Sequence, residues 1–240
     1  MPSSDFPMSL SLEEAQQRVV SICKSRQLAI DTIPLQVAVG RVLAEDAHAS
    51  DDIPAFDNSA MDGFAVRGED LPCEGEARFQ VMETLLAGHV TQRVLGVGQC
   101  MRIMTGARMP NGADTVVIKE RVRVEANIAV IGAGERQGSN VRPRGEEMLA
   151  GQLAVGRGQR IRATHASLLA SLGMDRVRVF RQPRASIIST GDELVMPGQS
   201  CSGAQIYNSN GFGLAALLGG AGAQLDRADL NLTPQSLAGF

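Results

Sequence analysis

Residues 51–70 read DDIPAFDNSAMDGFAVRGED, and the organisation of the chain follows from how this stretch is read. Asp57-Asn58-Ser59 and Asp62-Gly63 are turn formers, because their short polar side chains bond nearby backbone and glycine accepts positive φ. Ala60, Met61, Phe64, Ala65 and Val66 lie between and after them. The stretch must therefore turn apolar groups inward while holding several carboxylates at a bend. A single acidic turn is ordinarily solvated. The ordered string of two turns, carboxylates and an apolar run points beyond that.

The surrounding composition limits what such a site can serve. A chain of 240 residues fits one or two domains. Apolar residues make up 44%, but aromatics only 3% with no Trp, so cores must be built from Val, Ile, Leu, Ala and Met. The 26 Gly and 10 Pro call for many turns, hence β-rich parts beside helices. A net charge of −3 gives no basic face for nucleic acid. There is no long apolar run for a membrane span, and MPSSDFPMSL lacks a charged-then-apolar leader. Cys23, Cys73, Cys100 and Cys201 lie far apart, without C-x-x-C or zinc-like His spacing. Reduced thiols in a cytoplasmic protein are the expectation.

Outward toward the N-terminus, residues 11–26 are predicted helical. Ser11 and Glu14 form a capping box. Leu12, Ala15, Val19, Ile22 and Cys23 make one apolar stripe, for packing within a protomer or against another. Residues 35–49 suit a short extended piece with a turn or short helix around Gly40-Arg41. Outward toward the C-terminus the pattern becomes β-like. Strands are expected around 79–86, at 99–104 ended by Thr105-Gly106, and at 115–118, 122–124 and 128–131. They fit a small barrel or sandwich-like unit over 51–147. A glycine-punctuated link at 152–162 precedes a helix at 166–172, capped by Thr164 and closed by Gly173. Residues 176–180 alternate as a half-buried strand. Pairing of these pieces with the N-terminal region gives a discontinuous linker or dimerisation domain, 1–50 plus 148–182, with the β-rich unit inserted.

From residue 184 the pattern changes again. A strand at 185–189 ends in TGDEL, and a loop with Pro197-Gly198 follows. Asn208-Ser209-Asn210 starts a helix with Leu214, Ala215, Leu217 and Leu218 on its apolar side, ended by glycines at 219–222. A second strand is expected at 224–230, and Thr233-Pro234 opens another helix. Strand–helix–strand implies a parallel sheet, which helices cover on both faces. Two strands and one helix cannot bury it, so 183–240 is expected to begin a larger α/β domain. The expected fold class is mixed α/β and β, multidomain.

Three further segments carry groups suited to chemistry. In MRIMTGARMPNGAD (101–114), the Thr105 hydroxyl follows a strand and Gly106 lets a ligand approach the backbone. In NVRPRGEE (140–147), Arg142 and Arg144 offer guanidinium forks for an oxyanion. Glu146 and Glu147 can pair with them or bind metal, and a surface ion-pair cluster is the alternative. In STGDEL (189–194), Ser189 and Thr190 offer hydroxyls at the carboxyl end of a strand, where α/β sheets bind ligands. Asp192 and Glu193 suit Mg²⁺ beside a phosphate, or else an acidic loop that caps the next segment. There is no Walker loop and no G-x-S-x-G. His48, His89 and His165 have no partners at ligand spacing. Carboxylate–Mg²⁺ chemistry is favoured over a nucleophile.

Taken in order, VGRVLAED (39–46), FDNSAMDGFAVR (56–67), IMTGA-x-x-P-x-G-A-D (103–114), N-hydrophobic-R-x-R-G-E-acid (140–147), and STGDEL followed by IYNSN (206–210) closely resemble the signatures of the MoeA/gephyrin-type molybdopterin molybdenumtransferases. The resemblance covers nearly the whole chain and implies insertion of molybdenum from molybdate into adenylylated molybdopterin, with AMP released and Mg²⁺ required. It implies catalytic roles for Asp62, Thr105 and Glu193. Substrate contacts fall to Asp57, Asn58 and Ser59, to Arg142, and to Ser189, Thr190 and Gly191. Metal ligation falls to Asp62, Glu147, Asp192 and Glu193. It implies a homodimer whose active sites are shared between protomers, a small pterin substrate, and neither nucleic-acid nor membrane partners. Glu147 departs from the family, where Asp is common. The sequence also stops inside the family's third domain, before its GG-V-S and PGNP-type loops. A second reading, from a different class, is a non-catalytic molybdopterin-binding or scaffold module, since gephyrin-like relatives use this fold to dimerise and bind peptides.

Overall fold

The apolar run after Asp62 is a strand, Gly63–Val66, buried along its whole length. In the computed structural model, which describes residues 10–25 and 28–232, it lies second in a six-stranded sheet. The order is Thr115–Ile118, Gly63–Val66, Gln99–Ile103, Glu76–Leu85, Ile128–Gly132, Val122–Glu125. Glu76–Leu85 runs parallel to Gln99–Ile103, and the other pairs are antiparallel. Alternate side chains point to opposite faces of a strand, and both faces of this sheet are covered. Ala65, Met101, Ile103 and Val116 join Leu85 and Leu95 in one core. Phe64, Cys100 and Val117 join Phe79, Ala129 and Ile131 in the other. Gly63 is required where the strands crowd: a Cβ there would lie 2.1 Å from the Val117 carbonyl oxygen. Sequence reading placed the flanking strands correctly but took 63–66 for an apolar run between turns. Four residues starting with glycine carry too little periodicity to mark a strand.

This sheet lies within one compact unit, Ala47–Val155. The other unit comprises the described residues up to Asp46 and from Gly156 onward. There, Ile30–Pro34 pairs antiparallel with Arg176–Phe180, from Ile30 opposite Phe180 to Pro34 opposite Arg176. Arg176–Phe180 is half-buried, with Val177 and Val179 inward. The helix Leu12–Ser25 starts at the expected box: Ser11 N donates to Glu14 Oε2 at 2.9 Å and Glu14 N to Ser11 Oγ at 3.2 Å. Its apolar stripe is largely exposed, Leu12 at 69% and Val19 at 60%. The helix Ala163–Ser171 begins earlier than expected. Thr164 sits inside it and caps nothing. Arg162 holds the N-cap position, with its N–H 3.4 Å from His165 Nδ1. Gly173, at φ 76°, follows the helix as expected.

In the same unit Arg184–Thr190 runs parallel to Gln224–Leu232, joined by the helix Ser209–Ala221. Asn208 caps this helix by accepting from Gly211 N at 3.0 Å, and Gly222 ends it at φ 97°. On its apolar side Leu214 and Leu217 are exposed, Leu217 at 71%, while Ala215 and Leu218 are half-buried. Two short strands that sequence reading missed, Leu194–Val195 and Ile206–Tyr207, pair in parallel. Thr233-Pro234 lies outside the described residues. The architecture is mixed and sheet-rich with few helices, and no described helix is long and apolar enough to cross a membrane.

Candidate functional site

Sheet register explains why three separated residues meet. Gly63 stands opposite both Ile103 and Ile118. Asp62, Thr105 and Lys119 therefore emerge together at one end of three adjacent strands. Thr105 donates to Asp62 Oδ1 twice, from its backbone N–H and from its Oγ1, each at 2.9 Å. Lys119 Nζ donates to Oδ2 at 3.2 Å. A second tie is the Lys119 N–H, which donates to the Asp62 carbonyl at 3.1 Å. The Thr105 N–H, the Thr105 hydroxyl and the Lys119 ammonium all favour the charged carboxylate, and hold its pKa down from 3.8 to about 2. Asp62 is thus a permanently ionised group at physiological pH. Oδ1 accepts two of these bonds and Oδ2 one, so Oδ2 keeps an acceptor site open beside Lys119. Nothing in the sequence reading singled out Lys119; the register of strand Thr115–Ile118 against Gly63–Val66 is the feature that places it.

The segments at 56–67, 103–114 and 140–147 converge on the same unit. Asn58–Ser59 pairs antiparallel with Val141–Arg142. On its other side Ser59 N donates to the Ala107 carbonyl at 3.0 Å, and Gly106 N donates to the Ser59 carbonyl at 2.8 Å. Gly106 has φ 79°, which suits glycine in the turn after Thr105. Asn58 and Ser59 are 7% and 1% exposed. The Asn58 amide donates to the Phe56 carbonyl at 3.2 Å, and the Ser59 hydroxyl donates to that of Met61. These side-chain bonds to the backbone, with the ladder on either side, tie the Thr105 turn to the Arg142 strand. Asp57 remains exposed, with Oδ1 accepting from Arg144 N at 2.7 Å.

The arginine-rich segment is also partnered differently from expectation. Arg144 pairs with Asp52, not with Glu146 or Glu147, and Asp52 also accepts from Ala150 N at 2.7 Å. These bonds, Ala150 first, hold the Asp52 carboxyl below its usual range. Asp52 was missed although it opens the decisive stretch, because its partners lie about a hundred residues away in sequence. Arg142 is exposed and forms no ion pair with the described residues, which leaves its fork open. Glu147 donates its N–H to the Ile53 carbonyl at 2.9 Å and keeps its side chain exposed.

In the other unit, Ser189, Thr190 and Gly191 sit at the carboxyl end of Arg184–Thr190. The Ser189 hydroxyl donates to Asn208 Oδ1 at 3.4 Å. Gly191 has φ 152°, and a Cβ there would lie 2.6 Å from Glu193 Oε2. Asp192 and Glu193 are exposed and adjacent. The described residues contain no group of three His, Cys, Asp or Glu able to hold a metal. Mg²⁺ is commonly held by one or two carboxylates with waters and substrate phosphates completing the shell, so the Asp192–Glu193 pair fits such an ion.

A six-stranded mixed sheet that gathers signature turns at strand ends in one unit, and a strand–helix–strand arrangement with paired carboxylates in the other, define a two-unit, sheet-rich class of protein. The chain belongs to the MoeA family, its residues 10–173 matching the MoeA N-terminal region, domains I and II. It is 36% identical over 219 residues to the molybdopterin molybdenumtransferase of Staphylococcus epidermidis, covering 90% of this chain and 52% of that protein. It is 39% identical over 197 residues to that of a Nostoc species, covering 81% and 45% respectively. The chain thus spans about half the length of the curated relatives it matches. Among solved structures, the molybdopterin biosynthesis MoeA protein of Pyrococcus horikoshii superposes with a TM-score of 0.79 at 29% identity, covering 88% of this chain and 58% of that one.

Proposed function

We propose that this chain is the N-terminal part of a cytoplasmic molybdopterin molybdenumtransferase, acting in molybdenum cofactor biosynthesis. The reaction is insertion of molybdenum from molybdate into adenylylated molybdopterin with release of AMP. The observation that carries the reading is the meeting of Asp62, Thr105 and Lys119 at one sheet end, in a chain whose relatives bear that name. The domain plan of 1–50 with 148–182, 51–147, and 183 onward belongs to the same proposal.

The chemistry asks for oxyanions to be held and neutralised while an anhydride is cleaved. Arg142, with its open fork, binds molybdate or a phosphate oxygen. Asp62, kept ionised by Thr105 and Lys119, orients water or a cationic centre near the diphosphate, and Thr105 fixes its direction. Ser189, Thr190 and the Gly191 backbone take the pterin or phosphate end. Asp192 and Glu193 would hold Mg²⁺, and Glu147 is a further candidate ligand. The ion, when bound, neutralises phosphate oxygens. The active unit is a homodimer in which the Asp62 set of one protomer serves with the Glu193 set of its partner.

The test is AMP release from adenylylated molybdopterin with molybdate and Mg²⁺, on a chain extended to the length of the relatives. Molybdate-dependent release is expected. Pterin binding without AMP release would instead support a non-catalytic binding module.

A further inference from the structure

Beside the Asp62 cluster, but on the face of the sheet, lies a cavity of about 440 Å³, within the size range of small-molecule sites. Three features show how it is built. First, the parallel ladder between Glu76–Leu85 and Gln99–Ile103 shifts register between Val81 and Thr84, and both residues line the cavity. Such irregularities re-aim side chains and recur next to binding sites. Second, the hairpin joining Val122–Glu125 to Ile128–Gly132 turns through Ala126 at φ 53°, a left-handed conformation that alanine rarely adopts. This turn is pinned over the irregularity: Val81 N and Gln80 Nε2 donate to the Asn127 carbonyl at 2.8 and 3.2 Å. Strained backbone held by its surroundings gathers at ligand sites. Third, the charged side chains lining the cavity are Arg102 and Lys119, with no carboxylate among the lining residues. Arg102 is exposed and has no ion-pair partner among the described residues.

We propose that this cavity is a binding site for a small organic oxyanion, a phosphate or carboxylate head on an apolar body. Arg102 takes the head through its guanidinium fork, with the Lys119 ammonium, whose charge Asp62 balances, as a further donor. Phe64, Val81 and Val124 receive the body, and Thr84 and Asn127 supply hydrogen-bonding groups at its edge. The site stands on the cavity itself and is independent of the pterin reaction proposed above. It touches that reaction at one atom, because Lys119 Nζ also holds Asp62.

The experiment is a titration of the isotope-labelled chain followed by amide NMR, with phenyl phosphate, phenylacetate, inorganic phosphate and benzyl alcohol as separate probes. Saturable shifts centred on Thr84, Arg102 and Ala126 are expected for at least one aromatic oxyanion. Its dissociation constant should be at least about tenfold below that of either half-molecule. The two aromatic probes distinguish a phosphate head from a carboxylate head. Arg102→Met should weaken binding about tenfold or more without changing the melting temperature, since the side chain is exposed. Val124→Trp, also at an exposed position, should close the cavity and abolish the shifts. Absence of saturable binding would overturn the site. So would equal affinity for inorganic phosphate, shifts centred on Arg108 or Arg142, or binding unchanged in Arg102→Met.

Discussion

Asp62 is expected to titrate near pH 2 because three donors favour its charged form, the Thr105 backbone N–H first, then the Thr105 hydroxyl, then Lys119. The sign follows directly. A carboxylate whose folded pKa lies below its unfolded value adds stability that is present above 3.8 and lost as pH falls through about 2. Carboxyl-carbon NMR should show that midpoint, and Thr105→Val, which removes only the hydroxyl donor, should raise it. A midpoint unchanged by that substitution would remove the hydroxyl from the site. Cys100 lies at the opposite extreme. Burial pushes its thiol up to about 12, whereas Cys23, Cys73 and Cys201 are exposed. A thiol reagent at mildly alkaline pH should label those three in the folded protein and reach Cys100 only on unfolding. At this scale the motifs pointed to Asp62 and Thr105, which the fold brings into hydrogen-bond contact. The sequence could not show Lys119 or Asp52, whose roles depend on register and on contacts distant in the chain.

Among the elements, Gly63–Val66 decides the site, since it fixes which residues flank Ile103 and Ile118. Gly63→Ala would force a Cβ against the Val117 carbonyl, and should cost more than about 2 kcal/mol in a denaturant melt. Ile103→Ala, in the fully buried core beside it, should cost about 2–5 kcal/mol. Legibility differed among elements for physical reasons. Strands with apolar residues on both faces, such as Thr115–Ile118, show as short continuous runs. The Ser11 capping box and the Asn208 cap were legible because each is a local hydrogen bond set by residues three apart. The cap of Ala163–Ser171 was misplaced, because Thr164 matched a preference while the backbone began its turn at Arg162. The irregularity at Val81 and Thr84 and the Ala126 turn leave no mark in the sequence, since each arises from pairing between strands.

For the whole molecule, large apolar side chains on Leu12–Ser25 and Ser209–Ala221 are exposed, among them Leu12, Val19, Leu214 and Leu217. The proposed homodimer makes a specific demand. If the Asp62 and Glu193 sets meet across protomers, a mixture of inactive Asp62→Ala and Glu193→Ala chains, extended to full length, should regain about a quarter of wild-type activity. Half of randomly assorted dimers are mixed, and each carries one intact site of two. No recovery on subunit exchange would place both sets in one protomer's site. The most direct measurement is AMP release by the extended chain carrying Asp62→Ala, with pterin binding recorded alongside. Loss of a transition-state electrostatic contact should lower turnover about a hundredfold or more while binding persists. AMP release at the wild-type rate would contradict the assignment of Asp62 and its cluster to the reaction.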